Sequence, residues 1–320
     1  MCNDYLTPDP AARPAAYRPS QKSLVLACLL LLLTLSTSLA AGTQFAAAFR
    51  NDQAASVEEW LKALTLFYKH PAGLADGLPF ALTLLTILLA HELGHYFACR
   101  YHHIRSSYPF FIPFPSLIGT FGAFILLRSP IRTRRALFDV GASGPLVGFA
   151  FAIPPLIYGV VHAKFVPAIA DAQQAAYIFG TPLALRALAL LFHPGVPANH
   201  LLLHPVGRAA WVGLLATALN LLPAGQLDGG HILRSVSLRL HRFSSLGLPI
   251  GLFALGVILN WWVWYVWGGI LLAIRFLRVP PIYDDEPLDL GRRVSAVLTV
   301  LILVLTFMAA PLVQTGVGLD

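Results

Sequence analysis

Apolar residues fall along this chain in long runs with almost no charge inside them. Ser23 to Ala41 is the first run and is long enough to cross a bilayer as a helix. Leu78 to about Arg100 is the second, Ala136 to Val161 the third, and Val206 to about Asp228 the fourth. Leu246 to Leu277 is apolar over a length equal to about 48 Å of helix, too long for one crossing. Asn260-Trp261-Trp262 in its middle reads as an interfacial turn, so the run splits into a fifth and a sixth helix. Val294 to Val313 is the seventh.

One apolar stretch breaks the helical pattern. Ser106 to Leu127 is apolar enough to enter a bilayer, yet Pro109, Pro113, Pro115, Gly119 and Gly122 argue against a helix. Non-helical backbone survives at membrane depth only where protein or a watery cavity satisfies it. The stretch is read as a re-entrant loop or β-hairpin near the reactive centre. An edge strand there can pair with an extended substrate, with Gly119, Phe121 and Gly122 as the pairing candidates.

Polar stretches complete the organisation. Residues 1–22 are polar and proline-rich and read as a disordered tail. This tail is long and contains Asp4 and Asp9, so Ser23–Ala41 is taken as a retained helix rather than a cleaved signal. Residues 23–77 hold the first helix and an outer amphipathic segment, with a surface helix expected around Glu58 to Phe67. Residues 78–240 form the membrane core, and 241–320 the C-terminal helices. Between the third and fourth runs, Ala175 to Phe192 is apolar, but Pro182 and Arg186 oppose a full span. No segment reads as an appended soluble domain.

Composition sharpens the class. Hydrophobic residues make up 57% and charged residues 12%, where a soluble domain carries about 25% charged. The expected fold is an all-α polytopic membrane protein with about six to seven transmembrane helices and the re-entrant hairpin. The three cysteines, Cys2, Cys28 and Cys99, suggest neither a disulfide framework nor a zinc ribbon. With the N-terminus inside, most of the 22 Lys and Arg fall on inner segments, among them Arg100, Arg105, Arg128, Arg132, Arg134 and Arg135. The expected location is a bacterial inner membrane, with the N-terminus and the reactive centre toward the cytoplasm. The basic turn Arg128–Arg135 reads as topology and headgroup contact, which leaves the lipid bilayer as a partner and excludes nucleic acid.

The second run carries the chemistry: His91-Glu92-Leu93-Gly94-His95. Ionisable groups inside an apolar helix cost about 2.5–3.5 kcal/mol each on insertion scales, and a divalent metal compensates them. Residues four apart share a helix face, so both imidazoles can bind one zinc, with Glu92 beside them to accept a proton from water. A catalytic zinc usually takes a third protein ligand. The second unusual cluster, Asn220-Leu-Leu-Pro223-Ala-Gly225-Gln-Leu-Asp228-Gly229-Gly230-His231, lies at the inner end of the fourth run. The second and fourth runs both point inward, so Asp228 is well placed as that ligand. Asn220 can donate a hydrogen bond to a substrate carbonyl or to a developing oxyanion.

These two clusters resemble the site-2 protease family of intramembrane zinc metalloproteases. The Gly141-x-x-Gly144-Pro145 segment and the glycine-bearing loop around Gly119 also fit, and Gly225-Gln-Leu-Asp-Gly-Gly230 resembles the branch with bacterial and plant chloroplast members. The likeness covers about residues 78–240. It implies one zinc held by His91, His95 and Asp228, with Glu92 as general base and acid. It also implies cleavage of peptide bonds in or near transmembrane segments of other proteins. The alternative is a non-proteolytic membrane scaffold or chaperone with a vestigial metal site. Prenyl-peptide proteases, which take a Glu as third ligand, are disfavoured by Asp228. His102 and His103 read as headgroup-level residues, His193, His200 and His204 as loop histidines, and His231 as a neighbour of the ligand set.

Overall fold

The computed structural model describes residues 20–53, 71–166, 177–275 and 286–314. It opens with α1 (Gln21–Arg50), capped by Ser20, whose Oγ accepts the Ser23 N–H at 3.2 Å. A 3-10 turn over Pro71–Gly77 leads into α2 (Leu78–Tyr101), followed by a hairpin of β1 (Phe110–Pro113) and β2 (Thr120–Phe124) and then α3 (Arg134–Val161). The connection after α3 holds β3 (Lys164–Phe165), β4 (Tyr177–Phe179), α4 (Leu183–Phe192) and β5 (Leu201–Leu202). Then come α5 (Pro205–Asn220), α6 (Asp228–Val236), α7 (Leu238–Ile258), α8 (Trp262–Arg275), α9 (Leu290–Thr306) and β6 (Leu312–Gln314).

The chain is a mostly helical integral membrane protein. Among the described residues, four helices are long and apolar enough to cross a membrane: α1, α2 with its leading turn, α3 and α7. Three expected crossings are shorter, at 16 residues for α5, 14 for α8 and 17 for α9. The helix α5 stops at Asn220 instead of reaching Asp228. Pro223 lacks an N–H to continue it, and Gly225 turns the chain at φ +57°. At the other end of the chain, α1 runs past Ala41 because Gly42 packs tightly on the α2 entry. A Cβ at Gly42 would lie 2.4 Å from the Gly77 carbonyl oxygen. The break between α7 and α8 falls at Asn260, in the left-handed region at φ +47°, where the Asn-Trp-Trp turn was expected. The helix α4 has 10 residues, about 15 Å, too short to cross. The tail before residue 20 and the surface helix expected at 58–67 lie outside the described residues.

Close backbone contacts bind α2, α3 and α5 into one core. Gly159 and Gly207 meet so tightly that a Cβ on Gly159 would sit 2.1 Å from Gly207 Cα, and a Cβ on Gly94 would sit 2.6 Å from the Ser143 carbonyl oxygen. Such contacts are how helices associate where lipid gives no hydrophobic advantage. The hairpin is tied to α1. Thr37 Oγ1 donates to the Gly119 carbonyl at 2.5 Å, and Gln44 Nε2 donates to the Leu117 carbonyl at 2.9 Å. Its strands run antiparallel, pairing Phe110 with Phe124 and Phe111 with Ala123.

A polar cluster joins α9 to the C-terminal end of α2 and the N-terminal part of α3. Asp139 receives His102 Nε2 at 2.7 Å and Arg292 Nε and Nη2 at 2.8 and 2.6 Å. Arg292 also pairs with Asp289, the residue that caps α9. The Arg292 backbone N–H holds the Asp289 carboxyl below its ordinary value. His102, expected at headgroup level, contacts the Asp139 carboxylate from the end of α2. Removing one partner from such a cluster strands the others. Asp139→Ala should cost about 3 kcal/mol, the lower end of the range for buried pairs, because the side chains keep some exposure. The check is the unfolding midpoint in detergent: a midpoint equal to wild type would mean the cluster does not hold α9.

Candidate active site

The His-Glu pattern lies in the middle of α2, and all three ionisable side chains are buried, at 5–6% exposure. The His91 and His95 Nε2 atoms approach to 3.1 Å. Asp228, the first residue of α6, places Oδ2 3.3 Å from each of them. That oxygen is buried and makes no aligned hydrogen bond to either ring. The three donor atoms therefore form a nearly equilateral triangle around a point that no protein atom fills.

That triangle can be tested against a metal. Zinc–nitrogen and zinc–oxygen bonds of about 2.0–2.1 Å in a tetrahedron require donor atoms about 3.3 Å apart, which is close to the edges found here. The tautomer of His95 agrees. Its Nδ1 lies 2.6 Å from the Val140 carbonyl oxygen, so Nδ1 carries the proton and Nε2 presents a lone pair. A backbone carbonyl behind a ligating imidazole is the usual support for a metal-bound histidine. His91, Glu92 and His95 form the metal-capable group found among the described residues. These observations fit one zinc.

Glycines on α3 form the wall behind the imidazoles. A Cβ at Gly144 would lie 2.1 Å from His95 Nε2, and one at Gly148 would lie 2.8 Å from His91 Nδ1. Gly141 faces α6, where a Cβ would lie 2.9 Å from His231 Cβ and 3.1 Å from the Asp228 carbonyl oxygen. On the other side, the loop from Leu221 to Leu227 folds back on α6 so closely that a Cβ at Gly229 would lie 2.0 Å from the Leu221 carbonyl oxygen. The loop is held from outside by α7. Ser244 Oγ donates to the Pro223 carbonyl, Ser245 Oγ accepts the Gly225 N–H at 3.1 Å, and His241 Nε2 lies 3.0 Å from the Gly225 carbonyl. These α7 residues support the Asp228 loop, and no sequence motif marks them.

A cavity of about 210 Å³ opens onto the site, lined by Glu92, His95, Asn220, Gln226, Asp228 and His231 and by Ala123, Phe124, Ile125 and Leu127 of the hairpin. Asn220 Nδ2 lies 3.3 Å from His91 Nε2, so its amide points at the ligand cluster. The hairpin stands beside the site as expected, but with different residues facing it. Gly119 is buried against α1, where a Cβ would lie 2.5 Å from Ser38 Cα, and its carbonyl is taken by Thr37. Phe121 is exposed and stacks on Phe114 with ring centroids 3.9 Å apart. The Gly122 N–H is bound by Thr120 Oγ1 at 2.9 Å. The segment that lines the cavity is Ala123–Leu127, further along than Gly119, Phe121 and Gly122. The outer-loop histidines do not gather. His193 Nε2 meets the Val160 carbonyl at 2.7 Å, and His204 Nδ1 accepts the Val206 N–H at 3.2 Å at the start of α5. A larger apolar groove, about 900 Å³, lies on the other face of α2 along Leu89, Leu93 and Phe97 and holds none of the site's ionisable residues.

A family profile described as peptidase family M50 matches residues 79–265. The chain belongs to peptidase family M50. The match spans both halves of the site, from α2 to α8. Among curated proteins, the chain is 31% identical over 241 residues to the probable chloroplastic zinc metalloprotease EGY1 of Oryza sativa subsp. japonica, covering 72% of this chain and 40% of that protein. It is 31% identical over 248 residues to the probable chloroplastic zinc metalloprotease EGY2 of Arabidopsis thaliana, covering 76% and 44%. The chain thus spans less than half the length of these relatives. No solved structure matches.

Proposed function

We propose that this M50 member is an intramembrane zinc metalloprotease that hydrolyses peptide bonds in or near transmembrane segments of other proteins. The observation that carries this reading is the buried triangle of His91, His95 and Asp228 with Glu92 on the adjoining cavity wall. The three residues would hold one zinc, which when bound polarises water and the scissile carbonyl. Glu92 takes the proton from the attacking water and returns it to the leaving amine nitrogen. The cavity is too small for an intact helix, so the substrate enters locally unwound. Ala123, Phe124, Ile125 and Leu127 line the same cavity, so an unwound segment would lie along this part of the hairpin.

Orientation follows from charge. The α2–β1 and β2–α3 connections carry Arg105, Arg128 and Arg132, and the helix ends beside them carry Arg100, Arg134 and Arg135, so the N-terminus and the site face the positive side. That side is the cytoplasm for a bacterial inner membrane and the stroma for a plastid. The test is a proteomic comparison of cells carrying wild-type protein with cells carrying Glu92→Gln. Loss of a general base costs about 10²–10⁴-fold in rate. A single-pass protein should therefore accumulate uncleaved only in the variant, with zinc still bound. If the two proteomes match and the phenotype is intact, a non-proteolytic role replaces this one.

A further inference from the structure

We propose that His231 is a further catalytic residue: its ring N–H donates to the oxyanion that forms when the scissile carbonyl is attacked. This rests on the peptidase reading above. Four observations point to it. First, His231 lines the same cavity as Glu92, His95 and Asp228. Second, it follows Asp228 by three positions on α6, so both residues lie on one face of that helix. Third, its backbone and Cβ are fixed in place. Its Cβ is pressed against Gly141 of α3, where any larger residue would meet it at 2.9 Å, and its backbone N–H is bound to the Leu227 carbonyl at 2.9 Å. Fourth, neither ring nitrogen has a hydrogen-bond partner among the described residues. The other polar groups that surround it on α6 and α7 are already engaged, as with Ser235 Oγ on the Ile232 carbonyl and His241 on the Gly225 carbonyl.

An oxyanion donor must be preorganised, because a donor that has to be ordered during the reaction returns little. Three side chains able to donate from nitrogen line the cavity besides His95. Asn220 points its amide at His91 Nε2. Gln226 is an exposed side chain on the turn before α6. His231 is the one that is both packed in place and unengaged. Proton and electron balance is simple. Water oxygen bonds to the carbonyl carbon, and its proton goes to Glu92. The carbonyl π pair moves onto oxygen, where the His231 N–H meets it. The pair then returns as the C–N bond breaks, and the nitrogen leaves with the proton from Glu92. His231 keeps its own proton throughout.

The test uses full-length protein in detergent, with the single-pass substrate that accumulates in Glu92→Gln cells and with a phosphinic peptide flanked by Ala and Leu. His231→Phe should lower kcat about 10²–10³-fold, leave KM within a factor of two and keep one zinc per chain. His231→Gln, which retains an N–H donor, should recover at least tenfold of that loss. Phosphinic peptide affinity should fall in parallel with kcat, while capture of uncleaved substrate on the Glu92→Gln background stays unchanged. A kcat for His231→Phe within threefold of wild type would overturn the assignment. So would a change confined to KM, or loss of zinc from both variants, which would make His231 a support for α6. If wild type itself cleaves nothing and matches Glu92→Gln, it is the peptidase reading that fails.

Discussion

Gly144→Ala should empty the metal site in a protein that still folds. The added methyl group would lie 2.1 Å from His95 Nε2 and 2.4 Å from Cε1, well inside contact distance. Two responses are open to the protein. The ring can rotate away, which breaks its bond to the Val140 carbonyl and turns the Nε2 lone pair off the ligand triangle. Alternatively, α3 can retreat from α2, which opens the contact of Gly94 with the Ser143 backbone. The first is the smaller movement and leaves the helices packed. Alanine is a better helix former than glycine by about 1 kcal/mol, so the helix itself gains. Losing the support of one ligand typically costs about 10–100-fold in metal affinity; here the ligand itself is displaced, so the expected loss is at least that large. Gly148→Ala should be milder, since its methyl group would meet His91 Nδ1 at 2.8 Å. Zinc content per chain, measured with the unfolding midpoint, checks both. Full zinc occupancy in Gly144→Ala would mean that the imidazole wall is softer than its geometry implies.

This wall marks a limit of sequence reading. The spacing of Gly141, Gly144 and Gly148 announces a close helix contact, but not what is approached. Each glycine turns out to face a site histidine or α6. That pairing depends on the relative rotation of two helices, which periodicity along one chain does not carry. The His-Glu pattern and the Asp228 cluster were legible because ionisable groups in apolar runs stand out. Helix ends were less legible. The helix α5 ends at Asn220, eight positions before Asp228, because one proline and one left-handed glycine outweigh an apolar composition. The hairpin was legible from its prolines and glycines, but its facing was not. Gly119 is anchored to α1, and Ala123–Leu127 line the site instead. His102 shows the same limit: it is a helix-end histidine by position, and only the fold brings Asp139 and Arg292 to it.

Asp228→Ala should abolish zinc binding while leaving the apo protein nearly as stable as wild type. The carboxylate is one corner of a triangle whose other two corners are imidazole nitrogens. Two imidazoles from one helix turn rarely suffice for a structural or catalytic zinc, which takes three or four protein ligands. Without the metal, Asp228 Oδ2 is a buried acceptor with no hydrogen-bond partner, and a group in that state contributes little or opposes folding. Its removal therefore takes away metal affinity rather than folding energy. The two effects separate by linkage, because a ligand that binds only the folded state stabilises it by about 4.1 kcal/mol at 1,000 times its Kd. Wild-type protein should show a clear drop in unfolding midpoint when a chelator is added. In Asp228→Ala the midpoint should be the same with and without chelator, and close to that of chelated wild type. Asp228→Glu should fall between them, since its longer side chain overshoots a triangle whose edges are only 3.1–3.3 Å. A full chelator-sensitive shift in Asp228→Ala would remove Asp228 from the ligand set and leave His91, His95 and Glu92 as the alternative donors.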